Sequence, residues 1–313
     1  MRTILAALFG AVALAAAGAA SAQSSAPDPN APKPIYRGYG MQGGELPWPA
    51  SEEQRQQKLI DAALATLQPE RPGVHDVYVL SLALFGEHVF ESEATKAADI
   101  LSQRFGAEGR TLVLSNNNEP GAKGLPAAIP AHVLAAFNRY GALMDKEDDL
   151  FVLFLTTHGV SNAGVVLTDP KRMQYVMTPG NLRMALDKAG IKKRVLILSA
   201  CFSGQFIPAF SDENTILLTA ASATQPSFGC NPERDWTYFG DAYFNHALPS
   251  AAGLVPAFQR AKKIVTEWET RDQQKPSDPQ IYVGPAAAKL LATVEAAPNA
   301  QPALASAPAP ASP

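Results

Sequence analysis

Two apolar stretches in the middle of the chain each end in a side chain that can take part in nucleophilic chemistry. The first stretch, residues 149–157, is followed by His158 and Gly159. The second stretch, residues 194–200, is followed by Cys201. Because a thiol with an imidazole in reach is the minimal machinery for acyl transfer through a thioester, this pattern predicts covalent catalysis by Cys201.

Two parallel strands would bring these side chains together. A helix-like segment, residues 179–189, separates the two apolar stretches, and strand–helix–strand connections within one sheet produce parallel pairs. Neighbouring strands lie about 4.8 Å apart, and open α/β sheets carry their sites beyond the carboxyl ends of strands. We therefore expect His158 and Cys201 to lie side by side at one rim of a sheet.

Composition limits the classes of partner. The chain has 313 residues and a formal net charge of −3, which allows a substantial core and gives no reason to expect a nucleic-acid partner, since Lys and Arg are scattered. The histidines and cysteines lack the spacing of metal ligands. No glycine-rich phosphate loop follows a strand. The sequence therefore predicts neither a metal nor a cofactor.

The amino terminus has the layout of a secretory signal peptide. Arg2 precedes an apolar run from Ile4 to Ala20, and small residues precede Gln23. We predict removal of residues 1–22, which leaves a periplasmic or secreted protein without stable membrane insertion. An uncleaved anchor is the alternative, although the run is short and Ala-rich for a span of about 20 residues.

The remaining chain divides by composition into four segments. Residues 23–50 are predicted to be flexible, 51–72 to form an N-terminal helix, 73–285 to form one α/β domain, and 286–313 to be a disordered Ala/Pro-rich tail. Strand-like and helix-like stretches alternate through the domain. This order predicts a mostly parallel central sheet flanked by helices.

Four blocks resemble the legumain-like (hemoglobinase) cysteine peptidases, which share a fold with caspases. The blocks are His158-Gly159, Ser199-Ala-Cys-Phe-Ser-Gly204, Thr219 to Cys230, and Thr237-Tyr-Phe-Gly-Asp241. The resemblance covers roughly residues 75–248 and implies that residues 73–285 form a caspase-like three-layer fold. It also implies that the protein hydrolyses peptide or protein substrates.

The resemblance implies roles for individual residues. Cys201 would be the nucleophile, and His158 would act as the general base and then protonate the leaving amine. The backbone N–H groups of Gly159 and Cys201 would form the oxyanion hole; a glycine also lets the backbone approach a substrate closely. The pocket for the residue before the cut would be lined by Ser199, Ser227, Asp241 and Glu91.

The chain departs from the family pattern near this pocket. Ser199 stands where legumains carry a glutamate, and Thr157 stands where they carry an aspartate before the histidine. Their Asn-Tyr-Arg-His run aligns with residues 89–92, which replaces the orienting asparagine with valine and the arginine with Glu91. An acidic pocket is therefore expected, and a preference for asparagine is not implied. His88, in the same loop, is a further candidate for the cleft.

The sequence leaves two other functions open. A catalytically silent caspase-like protein that binds peptides or partners would fit the missing third catalytic residue. A redox or structural protein with a Cys201–Cys230 disulfide would fit an exported chain with two cysteines. The retained Cys201 and His158 favour an exported cysteine endopeptidase. The sequence does not indicate the oligomeric state.

Overall fold

The computed structural model describes residues 42–45, 48–117, 123–169, 173–231 and 233–297. All of them belong to one compact unit. The predicted signal peptide, the start of the predicted flexible segment and the end of the predicted tail therefore lie outside the described residues. None of the described helices is long and apolar enough to cross a membrane.

The described residues form a succession of alternating strands and helices. The strands are β1 Gln42–Glu45, β2 Val77–Ala83, β3 Thr111–Ser115, β4 Leu150–Thr156, β5 Gly159–Val160, β6 Gly164–Asp169, β7 Met173–Met177, β8 Arg194–Ser199, β9 Thr215–Thr219 and β10 Gln280–Val283. The helices are α1 Ala50–Ala65, α2 His88–Phe105, α3 Pro130–Leu143, α4 Pro179–Lys188, α5 Ile207–Phe210, α6 Tyr238–Gly240, α7 Leu254–Arg271 and α8 Pro285–Glu295. A π-helical segment, Asp241–Ala247, continues α6.

The central sheet has six strands in the order β10-β9-β8-β4-β2-β3. All neighbours are parallel except the edge strand β10. Thr156 of β4 lies opposite Ser199 of β8 on one side and opposite Ala83 of β2 on the other. The carboxyl ends of β2, β4 and β8 consequently meet at one rim of the sheet.

Burial on both faces explains the continuous apolar runs of the two central strands. Every residue of β4 and β8 is buried, as expected for parallel strands covered by helices on both sides. Leu153 and Leu196 pack in the core beneath α3 and α4. Phe154 and Ile197 pack on the opposite face with α2, α7 and α8. The prediction of a three-layer α/β fold with a mostly parallel central sheet flanked by helices is confirmed.

A small antiparallel sheet, which the sequence analysis did not assign, fills the connection between β4 and α4. Its strand order is β1-β7-β6-β5, so part of the segment 23–50, predicted to be flexible, is a paired strand. Gly159 pairs with Val165, and the Val166 N–H donates to the His158 carbonyl at 2.9 Å. This sheet therefore holds the backbone of His158 and Gly159 at the rim of the central sheet.

The folded domain extends past residue 285, where the sequence analysis placed its end. Helix α8 buries Leu290, Leu291 and Val294 against the core. Its last residue, Glu295, accepts a hydrogen bond from the Leu254 N–H at 2.7 Å. The Ala-rich composition predicts a disordered tail from residue 286, but tertiary packing makes Pro285–Glu295 part of the domain.

Candidate active site

The imidazole of His158 lies between two aromatic rings. Its ring centroid is 4.5 Å from that of Phe85 and 5.0 Å from that of Phe90, at interplanar angles of 84° and 86°. Phe85 follows β2 and Phe90 lies on the buried side of α2, so elements next to β4 enclose the ring. Edge-to-face packing of this kind restricts the orientation of the imidazole.

The nucleophile candidate Cys201 follows the last paired residues of β8. The Thr157 N–H donates to the Ser199 carbonyl at 3.2 Å, and a continued parallel ladder would next join the Cys201 N–H to the Thr157 carbonyl. That hydrogen bond is not formed, and the Cys201 N–H has no acceptor among the described residues. The ladder therefore ends one step before the cysteine and leaves free the donor that an oxyanion hole requires.

Gly159 and Cys201 touch through their backbones. A Cβ built on Gly159 would lie 1.8 Å from the Cys201 carbonyl oxygen and 2.7 Å from its carbonyl carbon. Only glycine fits this approach without displacement of the backbone. The two strand ends that carry His158 and Cys201 are therefore in direct contact, which gives Gly159 a structural role.

The chain turns sharply after Cys201. Phe202 adopts the left-handed region at φ 57°, which a bulky residue rarely occupies and which costs roughly 1–3 kcal/mol. Its N–H donates to the Gln225 carbonyl at 2.9 Å. This turn ties the cysteine to the loop that follows β9.

The loop after β9 brings Ser227 to the sulfur of Cys201. The Ser227 N–H points at Sγ from 3.2 Å, and the Ser227 hydroxyl oxygen lies 3.7 Å from the same atom. The thiol in turn lies 3.5 Å from the Ser227 carbonyl oxygen. A backbone N–H in this position stabilises negative charge on sulfur once the thiol proton has left. Of the residues expected in the substrate pocket, Ser227 is the one in contact with Cys201.

Ser199 lies beneath the rim, with its residue only 2% exposed. Its hydroxyl is 2.9 Å from that of Thr237, which donates to Glu93 at 2.7 Å. The Thr156 hydroxyl donates to the other oxygen of Glu93. Burial raises the pKa of the Glu93 carboxyl to about 7, against the opposing effect of these hydrogen bonds. A buried carboxyl, which the sequence analysis did not single out, thus connects the ends of β4 and β8.

Glu91 is buried and binds the loop that follows β3. Its carboxylate accepts hydrogen bonds from the Ser115 hydroxyl at 2.9 Å and from the Lys123 N–H at 3.0 Å. A further hydrogen bond comes from the Asn117 amide at 3.3 Å. None of these contacts joins Glu91 to Ser199 or Cys201, so its carboxylate serves as a tether for that loop.

Asp241 binds its own segment of chain. Its carboxylate accepts a hydrogen bond from the Asn245 amide at 2.8 Å. The Arg234 guanidinium lies 3.8 Å away, and the His246 ring nitrogen Nε2 lies 3.6 Å away. These contacts fit the alternative that an acid near the start of a helical segment stabilises that segment. The acidic pocket expected from Glu91 and Asp241 stays a prediction.

The loop after β2 contributes a residue that the sequence analysis missed. Glu87 Oε2 lies 3.5 Å from His158 Nε2. Topology could have indicated Glu87, because a residue that follows a strand next to β4 lies at the same rim of the sheet. His88, the candidate that the sequence analysis noted in this loop, instead lies 3.1 Å from the exposed Asp235.

The second cysteine is a packed thiol. Both Cys201 and Cys230 are free, and Cys230 packs against the apolar core on the α2 side of the sheet. Burial, reinforced by the charges of Cys201, Glu93 and Glu87, raises the pKa of the Cys230 thiol to about 12. Cys230 is therefore protonated and unreactive near neutral pH.

Comparison with known proteins identifies the family. No curated protein matches the chain. Among solved structures, caspase-1 from Spodoptera frugiperda aligns at 14% identity over 69% of this chain and 93% of that chain, with a TM-score of 0.44. A sequence profile of the Peptidase C13 family matches residues 131–289, which include His158, Cys201 and Ser227. The resemblance to legumain-like peptidases is confirmed, since this match spans half of the chain: the protein belongs to the Peptidase C13 family of cysteine peptidases.

Proposed function

We propose that the protein is an exported cysteine endopeptidase in which Cys201 and His158 act as a catalytic dyad. The observation that carries the proposal is the register of the two central strands. Thr156 lies opposite Ser199, and each functional residue follows its strand by the same distance along the chain. The contact between Gly159 and the Cys201 carbonyl supports the same juxtaposition.

The proposed reaction proceeds through a thioester. His158 accepts the thiol proton of Cys201, and the sulfur attacks the carbonyl carbon of the scissile bond. The N–H groups of Cys201 and Gly159 stabilise the oxyanion of the tetrahedral intermediate. His158 then protonates the leaving amine. Water hydrolyses the thioester with His158 as base, which releases the acid product and restores the thiol.

The substrate pocket is proposed from the family resemblance and from one contact. Ser227 lies against the Cys201 sulfur and is therefore the pocket residue best supported. Ser199, Asp241 and Glu91 remain proposed members of this pocket. Export is proposed from the sequence of residues 1–22 alone, and a mature amino terminus at Gln23, found by mass spectrometry, would support it.

A covalent probe tests the dyad directly. A peptide acyloxymethyl ketone should label the protein once, at Cys201, and the protein should cleave a peptide library. Cys201→Ala should abolish both signals, and His158→Ala should reduce both strongly. Because the pair acts as a unit, the double variant should be hardly worse than either single one.

The matched control is Cys230→Ala, which removes the other thiol and should retain labelling and cleavage. Binding of peptides without labelling or cleavage would instead support the catalytically silent alternative. Full activity in Cys201→Ala would place the nucleophile elsewhere.

A further inference from the structure

The carboxylate of Glu87 has an unusual environment for the residue that precedes a helix. Glu87 is the N-cap of α2, yet its side chain caps no backbone N–H of that helix. Its Oε2 atom is buried and accepts no hydrogen bond from the described residues. The polar group that faces it is Nε2 of His158, at a distance of 3.5 Å.

The buried oxygen of Glu87 requires an explanation. A buried carboxylate oxygen without a hydrogen-bond partner is rare in folded proteins, and helix capping does not account for this one, because the side chain caps no N–H of α2. What the oxygen faces is the imidazole of His158.

We propose that Glu87 is the positioning residue for His158, a third member of the site; this inference rests on the proposed function. A carboxylate beside Nε2 favours the tautomer that carries its proton on Nε2. The other ring nitrogen, Nδ1, is then unprotonated. Nδ1 is thus the atom that accepts the thiol proton of Cys201 and later delivers it to the leaving amine.

Glu87 also compensates the charge that His158 acquires. When Nδ1 takes the thiol proton, the ring becomes an imidazolium, and the carboxylate lies within ion-pair distance of it. Glu87 takes no proton in this scheme. The rings of Phe85 and Phe90 pack against the imidazole, and the side chains of His158 and Glu87 are 34% and 29% exposed, so solvent screens the attraction only in part.

The topology of the sheet places the carboxylate where it can act. Strand β2 is the neighbour of β4 on the side away from β8, with Ala83 opposite Thr156. The loop after β2 therefore approaches His158 from one side while Cys201 approaches from the other. The orienting asparagine that the family alignment lacks at Val89 is replaced by an acid two residues earlier in the chain.

Two substitutions separate the contributions of Glu87. Glu87→Ala removes both the acceptor and the charge, whereas Glu87→Gln retains an acceptor oxygen and removes only the charge. We expect kcat to fall by up to roughly 100- to 10,000-fold, the full contribution of general acid–base catalysis, more in the alanine than in the glutamine variant, with KM nearly unchanged. The control is Glu108→Gln, an exposed acid beyond the other end of α2, which should leave kcat unchanged.

Nitrogen NMR gives a signature that a purely structural role would not change. In protein labelled with 15N-histidine, the His158 signals are those lost in His158→Gln. At alkaline pH, where the ring is neutral, the wild-type protein should show the Nε2–H tautomer. Glu87→Ala should lose this preference, whereas an acid that only stabilises α2 would change the melting temperature and not the tautomer.

The outcomes distinguish the two levels of the proposal. A wild-type protein that neither reacts with the ketone probe nor cleaves peptides overturns the proposed function, and the role of Glu87 with it. An active wild-type protein with unchanged kcat and unchanged tautomer in the Glu87 variants overturns the role of Glu87 alone. If Glu87→Ala does not fold, the isosteric Glu87→Gln still decides through kcat.

Discussion

Gly159 lies so close to Cys201 that its missing side chain is a structural requirement: a Cβ at that position would lie 1.8 Å from the Cys201 carbonyl oxygen. The residue after the histidine therefore rests directly on the backbone of the nucleophile. Because the obstacle is backbone, which cannot swing away as a flexible side chain would, the positions of the two strand ends depend on each other.

Gly159→Ala should therefore displace Cys201 and remove activity. We expect loss of ketone labelling together with a lower melting temperature, because overpacking costs roughly 1–3 kcal/mol. The control is Gly180→Ala in the first turn of α4, where a Cβ would meet only the Thr178 hydroxyl at 4.0 Å. Labelling that survives in Gly159→Ala would show that the strand ends move independently.

Ser227 allows the backbone and side-chain contacts with Cys201 to be separated. Ser227→Ala keeps the N–H that lies 3.2 Å from the sulfur and should retain most of the activity. Ser227→Pro removes that donor and should lower the rate of thiol alkylation by iodoacetamide as well as kcat. Circular dichroism at matched temperature checks that both variants are folded. Equal alkylation rates in the two variants would exclude the N–H contact as a contributor.

The raised pKa of the buried Glu93 carboxyl predicts that the stability of the fold depends on pH. The folded-state pKa of its carboxyl is raised from 4.5 to about 7, so the folded protein binds the proton more tightly than the unfolded chain. This contribution is fully present below about pH 4.5 and is lost as the pH rises through about 7. The loss amounts to about 3 kcal/mol, since each pKa unit corresponds to roughly 1.4 kcal/mol.

Glu93→Gln should abolish that part of the pH dependence. Urea unfolding between pH 5 and pH 8 should show the variant gaining stability relative to the wild type as the pH rises, by roughly 2–3 kcal/mol over the range. Asp149, whose pKa is raised to about 6 by burial, titrates in both proteins and cancels in the difference. Parallel curves would show that Glu93 does not titrate in this range.

A Glu91→Gln variant tests whether this acid lines the substrate pocket, as the sequence predicts, or tethers the loop after β3. Because it accepts one hydrogen bond from the end of β3 and two from the loop that follows, Glu91→Gln should lower the free energy of unfolding by roughly 1–3 kcal/mol. If the tether is the only role of Glu91, a peptide-library profile should change little, since these hydrogen bonds occupy the carboxylate. A marked shift towards acidic residues before the cut would restore Glu91 to the pocket.

The sequence alone determined the central strands and the two chemical groups they carry. A strand that is covered on both faces has a continuous apolar sequence, as strands of parallel sheets do. The apolar runs of β4 and β8 could therefore be recognised as neighbouring parallel strands. The position of a residue just past such a strand follows from chain order. The positions of His158 and Cys201 at the rim of the sheet were therefore predictable, and so was the layered fold.

Only the tertiary structure decided what surrounds that pair. Glu87 and Glu93 lie on α2 or at its start, and nothing local in their sequence distinguishes a carboxylate that faces His158 from one buried beneath Thr156. Helix α8 likewise gains its order from packing on the core. Contacts between segments distant in the chain depend on how helices cross the sheet. Local pattern fixes which residues reach the rim, whereas packing fixes which partners each of them meets there.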